Sequence, residues 1–318
     1  MGQKDYAQND YFNDKVRFAD ICNGVLFHGS ELIKPEDLQE MNPDIIYRDN
    51  EKKKLRKNIP DKMCMWKGIY ISVLALENQS LVDYSMVFRA MKTEAISYEK
   101  QFKVMEREYC HQGLIGEKEN LAWNVLAKDV RFVPVILIVI YYGMEKIWDG
   151  AKCLHDMLNI KEELKPYVTN YKMNLFDYHD YEDFAFFKTD NRVVFEMLSC
   201  AKDEKKMDEL IRVNRDRYRY LSADVVEFIF LLTGIDLGKL EIVENHEGME
   251  VLDMCKAWDD HWKSGEKAGI MIGEERGIEV FVKDKIMDGM EESSIVKKLV
   301  FFYQISDEKA QGYIEKYR

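Results

Sequence analysis

The amino-acid sequence predicts a mixed α/β fold, and three observations carry that expectation. Ile69 to Leu76 runs largely apolar and rich in strand formers, then stops at Glu77-Asn78-Gln79, the pattern of a central strand buried on both faces. Phe132 to Tyr142 is the most hydrophobic run, too short to cross a bilayer, and reads as a second buried strand with Pro134 near its start. Around these runs, Asp14 to Phe27 and the stretch from Asp83 through Met105 place apolar residues at helical spacing.

In chain order, the Asp14 to Phe27 helix comes first. Lys34 to Asn50 is a charged connection carrying Pro35 and Pro43. Lys62 to Trp66 is a further strand, which the Lys67-Gly68 pair folds back on Ile69 to Leu76 as a hairpin. Asp83 is placed to cap a long helix bearing Met86, Arg89 and Tyr98. Glu106 to Lys128 is polar and mixed. After the second buried strand, Gly143 leads to Trp148 and a helix near Leu154.

The aromatics from Tyr167 to Phe187 read by default as core. Asp190 to Trp262 is mostly helical in pattern, with Val225, Val226, Ile229, Phe230 and Leu232 preceding a terminating Thr233-Gly234. Gly265, Gly269, Gly273 and Gly277 would share one helical stripe, and each costs about 1 kcal/mol relative to alanine, so close helix contact or a hinge is expected. Lys267, Glu274, Glu275 and Arg276 interrupt the stripe and argue against membrane-type glycine packing there. Glu291 to Phe302, then Ser306 capping a helix to Tyr317, forms a small two-helix unit. Self-association or partner binding is the first expectation for it, and helix-turn-helix contact with DNA the second.

Composition sets further bounds. The six cysteines show no Cys-x-x-Cys pair and no zinc spacing with the six histidines, so reduced thiols, mostly in the core, are expected. No charged segment followed by an apolar stretch opens the sequence, and a cytoplasmic protein without a membrane anchor is the expectation. The 46 basic against 58 acidic residues give −12, which argues against coating DNA by bulk charge. A local patch is still available: Arg212, Arg215 and Arg219 fall on one face if Ile211 to Tyr220 is helical, either as phosphate contacts or as a solvated, ion-paired face.

Chemistry is concentrated where the first strand stops. Strand alternation sends Glu77 and Gln79 to one face and Asn78 to the other. Asp61 lies at the start of the neighbouring strand. Two acidic side chains with a polar neighbour suit a hard cation such as Mg²⁺, which can carry phosphodiester hydrolysis. An exposed strand-end glutamate beside an ordinary acidic loop is the alternative.

Several segments occur in order: Arg17-Phe18-Ala19-Asp20, Val25-Leu26-Phe27-His28-Gly29, Lys34-Pro35-Glu36-Asp37-Leu38, Glu77-Asn78-Gln79, Tyr141-Tyr142-Gly143 and Trp148-Asp149-Gly150. Met86 with Arg89, Tyr98-Glu99-Lys100-Gln101, Leu154-His155-Asp156-Met157-Leu158, Lys188-Thr189-Asp190 and Thr233-Gly234 extend the set. Over roughly residues 10 to 285 the chain resembles the recombination-promoting nuclease family, also called YhgA-like putative transposases.

The resemblance implies a PD-(D/E)XK restriction-endonuclease-like core, a mixed sheet flanked by helices. By position Asp61 and Glu77 would hold Mg²⁺ or Mn²⁺, and Gln79 would replace the usual lysine. Asp20 would be an extra acid from the opening helix, or a plain surface residue. Arg89 would hold a phosphate or form a structural ion pair. The family tends to carry a basic residue before the Asp, whereas Pro60 stands here, which leaves Asp49, after Arg48, as a fallback ligand. The expected division is a nuclease-like core over 1–165, a helical region over 166–262 and a glycine-spaced C-terminal region over 263–318. The expected function is a metal-dependent DNA endonuclease in recombination, mobile-element or defence contexts. The alternative is a non-catalytic DNA-binding or protein-interaction module that retains the fold.

Overall fold

Two residues in the left-handed region set the sheet: Lys67 at φ 47° and Gly68 at φ 76°. That pair matches the primed turn whose twist suits a two-residue hairpin. In the computed structural model, which describes residues 11–42, 60–76, 82–111, 130–235, 242–244 and 250–317, the turn folds β2 (Lys62–Trp66) onto β3 (Ile69–Leu76). Lys62 pairs with Val73 and Trp66 with Ile69. β1 (Leu38–Met41) adds antiparallel to the other edge of β2.

Beyond β3 the sheet turns parallel. β4 (Val135–Tyr141) pairs with β3, and β5 (Asn174–Asp177) pairs with β4, giving the order β1-β2-β3-β4-β5. β3 is therefore the central strand, which explains an apolar run without alternation. β4 starts one residue after Pro134, whose carbonyl accepts from Tyr70 N–H at 2.8 Å. A proline cannot donate to the ladder, so the strand is shorter than its hydrophobic run.

Helices cover both faces. Asp14 caps α1 (Lys15–Phe27) by accepting from Val16 N–H at 2.7 Å. α2 (Met86–His111) lays Met86, Val87 and Ala90 on Leu74, Leu137, Val139 and Tyr141. On the opposite face, Phe176 of β5 meets Phe187 and Phe195, so Phe176, Tyr178, Phe184 and Phe187 are core as expected, whereas Tyr167, expected there too, is exposed. Phe195 belongs to α3 (Asn191–Cys200). α4 (Glu204–Val213), a single turn at Arg215–Tyr218 and α5 (Ala223–Thr233) follow, the last closed by Gly234 at φ 69°.

The stretch expected to be mostly helical also contains a two-stranded hairpin, β6 (Ile242–Glu244) with β7 (Glu250–Leu252). Leu252 exchanges backbone hydrogen bonds with Leu221, so an isolated bridge ties the hairpin to the segment before α5.

The chain divides into two compact units, Met1–Asp236 with Ile242–Leu252, and Leu237–Glu241 with Asp253–Arg318. The second holds α6 (Met254–Met287), α7 (Glu292–Tyr303) and α8 (Asp307–Tyr317) around Ile278, Val282, Ile295, Leu299, Ala310 and Ile314. The expected two-helix end is thus completed by the last third of α6. α6 runs unbroken through its glycines. Among the described residues, a Cβ at Gly265, Gly269 or Gly273 would meet nothing within 4 Å, and one at Gly277 would lie 3.3 Å from the Tyr303 hydroxyl. Close contact is therefore confined to Gly277. No helix among the described residues is long and apolar enough to cross a membrane.

Candidate functional site

The carboxyl ends of the parallel strands lie side by side, with Leu76, Tyr141 and Asp177 in register. Open α/β sheets bind ligands beyond such ends. Asp61 sits on the adjoining hairpin. Its N–H donates to the Val73 carbonyl at 2.9 Å, and continuing the Lys62–Val73 register sets it opposite Leu74, three residues before Glu77. Asp61 is half-buried and Pro60 is buried. Glu77, Gln79 and the fallback Asp49 lie outside the described residues.

Asp20 is not a surface acid. It is 6% exposed, and its carboxylate accepts four hydrogen bonds from the segment before and at the start of α3. Lys188 N–H reaches Oδ1 at 2.8 Å. Thr189 N–H at 3.2 Å, Thr189 Oγ1 at 2.6 Å and Asn191 Nδ2 at 2.9 Å reach Oδ2. Arg89 forms an ion pair with Asp83, the structural one of its two expected roles. Burial pushes the Asp83 carboxyl up, but hydrogen bonds from Ser85 and Arg89 outweigh it and hold the group below the usual carboxylate range.

The arginine stripe is not built as expected. α4 ends at Val213, and Asn214, at φ −113° and ψ 33°, interrupts the helix before the Arg215–Tyr218 turn. Arg212, Arg215 and Arg219 are exposed but do not share one continuous helix face. Arg212 lies 3.7 Å from Asp208, and the Arg219 guanidinium stands 5.4 Å from the Tyr220 ring centroid. The cause is tertiary. Tyr218 is fully buried and its hydroxyl donates to Glu196 at 2.7 Å, a position that a straight continuation of α4 does not supply.

Two polar clusters were not read as sites from the sequence. At the end of β5, the buried Asp177 accepts from Trp148 N–H at 2.9 Å and from His179 N–H at 3.1 Å, and its Oδ1 lies 2.6 Å from His179 Nδ1. This orients the imidazole, but the residues around it, Tyr141, Tyr178 and Trp148, are packed aromatics. On α1, Arg17 pairs with Asp224, sits 3.3 Å from Asp190 and lies over the Tyr11 ring. Burial raises the Asp190 carboxyl, with Arg17 opposing it. For Asp224 burial also acts upward, and hydrogen bonds from Arg17 and Ser222 outweigh it to hold the group low.

Among the described residues no three His, Cys, Asp or Glu side chains are grouped to hold a metal ion. Of the expected ligand pair, those residues include Asp61 alone. Compared with protein families, with curated proteins and with solved structures, the chain gives no match.

Proposed function

We propose that the chain is a Mg²⁺- or Mn²⁺-dependent DNA endonuclease on a PD-(D/E)XK-type core, with Asp61 and Glu77 as metal ligands and Gln79 positioning water. The observation that carries this reading is the β2–β3 hairpin. Its register brings the backbone of Asp61 opposite Leu74, two residues before the end of β3, after which Glu77 and Gln79 follow in sequence. A mixed sheet with an opening helix on one face and a long helix on the other supports the same reading.

The donor set is chemically suited to a hard cation, since both ligands offer carboxylate oxygens. The metal, when bound, polarises the phosphate and makes a bound water a better nucleophile. Gln79 orients water or phosphate through its carboxamide and brings no charge, in contrast to a lysine. The chain's other acids near α1 do not add to this. Asp20 already accepts four hydrogen bonds.

That engagement of Asp20, with Pro60 directly before Asp61, favours a second reading in which a non-catalytic DNA-binding or protein-interaction module keeps the fold. Self-association through the C-terminal helices belongs to the proposal, on the exposed Phe301 and Phe302 of α7. The test is supercoiled plasmid incubated with purified protein in Mg²⁺, in Mn²⁺ and in EDTA. Nicked or linear product that needs the cation is expected. Plasmid bound but intact in all three would establish the second reading instead.

A further inference from the structure

The surface between the residues leading into α3 and the Arg215–Tyr218 turn is concave, with a volume of about 350 Å³. Lys188, Thr189, Asp190, Arg192 and Arg217 supply its polar wall. Three cations converge there in a chain whose net charge is −12. Their placement is fixed from behind. Glu196 accepts from Arg192 Nε at 2.6 Å, from Arg217 Nη1 at 3.1 and 3.0 Å, and from the Tyr218 hydroxyl at 2.7 Å. The Glu196 side chain is 11% exposed, while those of Arg192 and Arg217 remain 30% and 35% exposed.

One half-buried carboxylate therefore orients two guanidinium groups and cancels only one of their charges. Each guanidinium has five N–H donors. Among the described residues Arg192 uses only Nε and Arg217 only Nη1, so the remaining donors have no protein acceptor. Lys188 Nζ donates to the neutral Ala185 carbonyl at 2.9 Å, and among the described residues it forms no ion pair. The acid in the wall, Asp190, lies 3.3 Å from Arg17 Nη2, a cation it shares with Asp224, so the cleft sets three cations against the carboxylates of Asp190 and Glu196. Paired, pre-oriented arginines with a neighbouring lysine match the fork geometry of a phosphate better than that of a neutral ligand.

We propose that this cleft binds a phosphate group between Arg192, Arg217 and Lys188. On the nuclease reading given above, on which this clause rests, the phosphate belongs to the DNA backbone; free phosphate is the other source of the same chemistry. Two measurements on the full chain test it. One is thermal unfolding in inorganic phosphate against chloride at equal ionic strength. The other is anisotropy of a labelled DNA duplex across a salt series in EDTA, which is independent of metal-dependent cleavage.

Phosphate is expected to raise the wild-type unfolding temperature, and Arg217→Gln and Lys188→Gln to lose that rise. Arg217→Gln is expected to weaken duplex binding about tenfold and to reduce the log–log salt slope by about 1. Arg217→Lys should keep the slope and lose part of the affinity. Lys188 is exposed, so Lys188→Gln stays informative if Arg217→Gln disturbs folding through Glu196. A phosphate effect that depends on these residues, with duplex binding unaltered, supports the site and assigns it to free phosphate. The same phosphate response and the same duplex affinity in wild type and both Gln variants would overturn the proposal, whatever the outcome of plasmid cleavage.

Discussion

Asp20 accepts hydrogen bonds from partners 168 to 171 residues away in sequence, so its presence in an opening helix was legible while its use was not. Removing it leaves four donors without their acceptor. Asp20→Ala is expected to cost about 3 kcal/mol in urea unfolding, the scale for losing hydrogen bonds to a buried charged group. A change under about 0.5 kcal/mol, typical of an uninvolved surface site, would contradict the clamp. Asp83 gives a pH dependence. Its carboxyl is held below the usual range, so its contribution is present above the unfolded value of about 3.9 and is lost as pH falls through the folded one. Asp83→Asn should lower stability at pH 7 and flatten the acid side of the stability curve below about pH 4. Parallel curves for variant and wild type would remove that role. At the proposed metal site, Gln79→Lys should keep or raise cleavage because it adds the charge the carboxamide lacks, read as initial rate at fixed Mg²⁺. Complete loss with normal folding would show that the carboxamide does something lysine cannot.

The β2–β3 hairpin rests on a two-residue turn, and its sequence is only half matched to it. Gly68 adopts φ 76° freely, whereas Lys67 at φ 47° carries a Cβ in the left-handed region. Lys67→Asn is expected to stabilise the fold by roughly 0.5 kcal/mol, since asparagine tolerates that conformation, and a loss of stability would contradict the turn assignment. The ion pair lost with Lys67, 3.6 Å from Asp37 and mostly exposed, matters little by comparison. Elements of this kind were legible because their signals are local: an apolar run with a stop, a turn pair, apolar residues at helical spacing, a Gly234 terminator. β5 was not, because Asn174-Leu175-Phe176-Asp177 is too short to show a period and is recruited by its pairing with β4. β6 and β7, at three residues each, escaped for the same reason. The arginine stripe misled because helical spacing does not register a break at Asn214, where burial of Tyr218 decides the path.

At the scale of the whole chain, the second compact unit has its own core, so damage to it should stay local. Leu299 is fully buried among α6, α7 and α8, and Leu299→Asp places a charge there. Circular dichroism should then show loss of part of the helical signal while a cooperative transition from the first unit persists, and light scattering should report a lower mass if these helices carry self-association. Simultaneous loss of both transitions would show that the units do not fold independently. The charge of the molecule is acidic overall, yet Lys188, Arg192 and Arg217 gather on one concave surface of the first unit, which is where an anionic polymer has its best hold. What that hold serves depends on the chemistry at the end of β3. The most direct measurement compares plasmid cleavage by wild type and Glu77→Ala at saturating Mg²⁺, with folding of both checked by thermal unfolding. The expected result is cation-dependent cutting by wild type and a loss in Glu77→Ala beyond the roughly 10- to 100-fold that an outer-sphere partner costs. Equal cleavage rates for the two folded proteins would contradict the metal site.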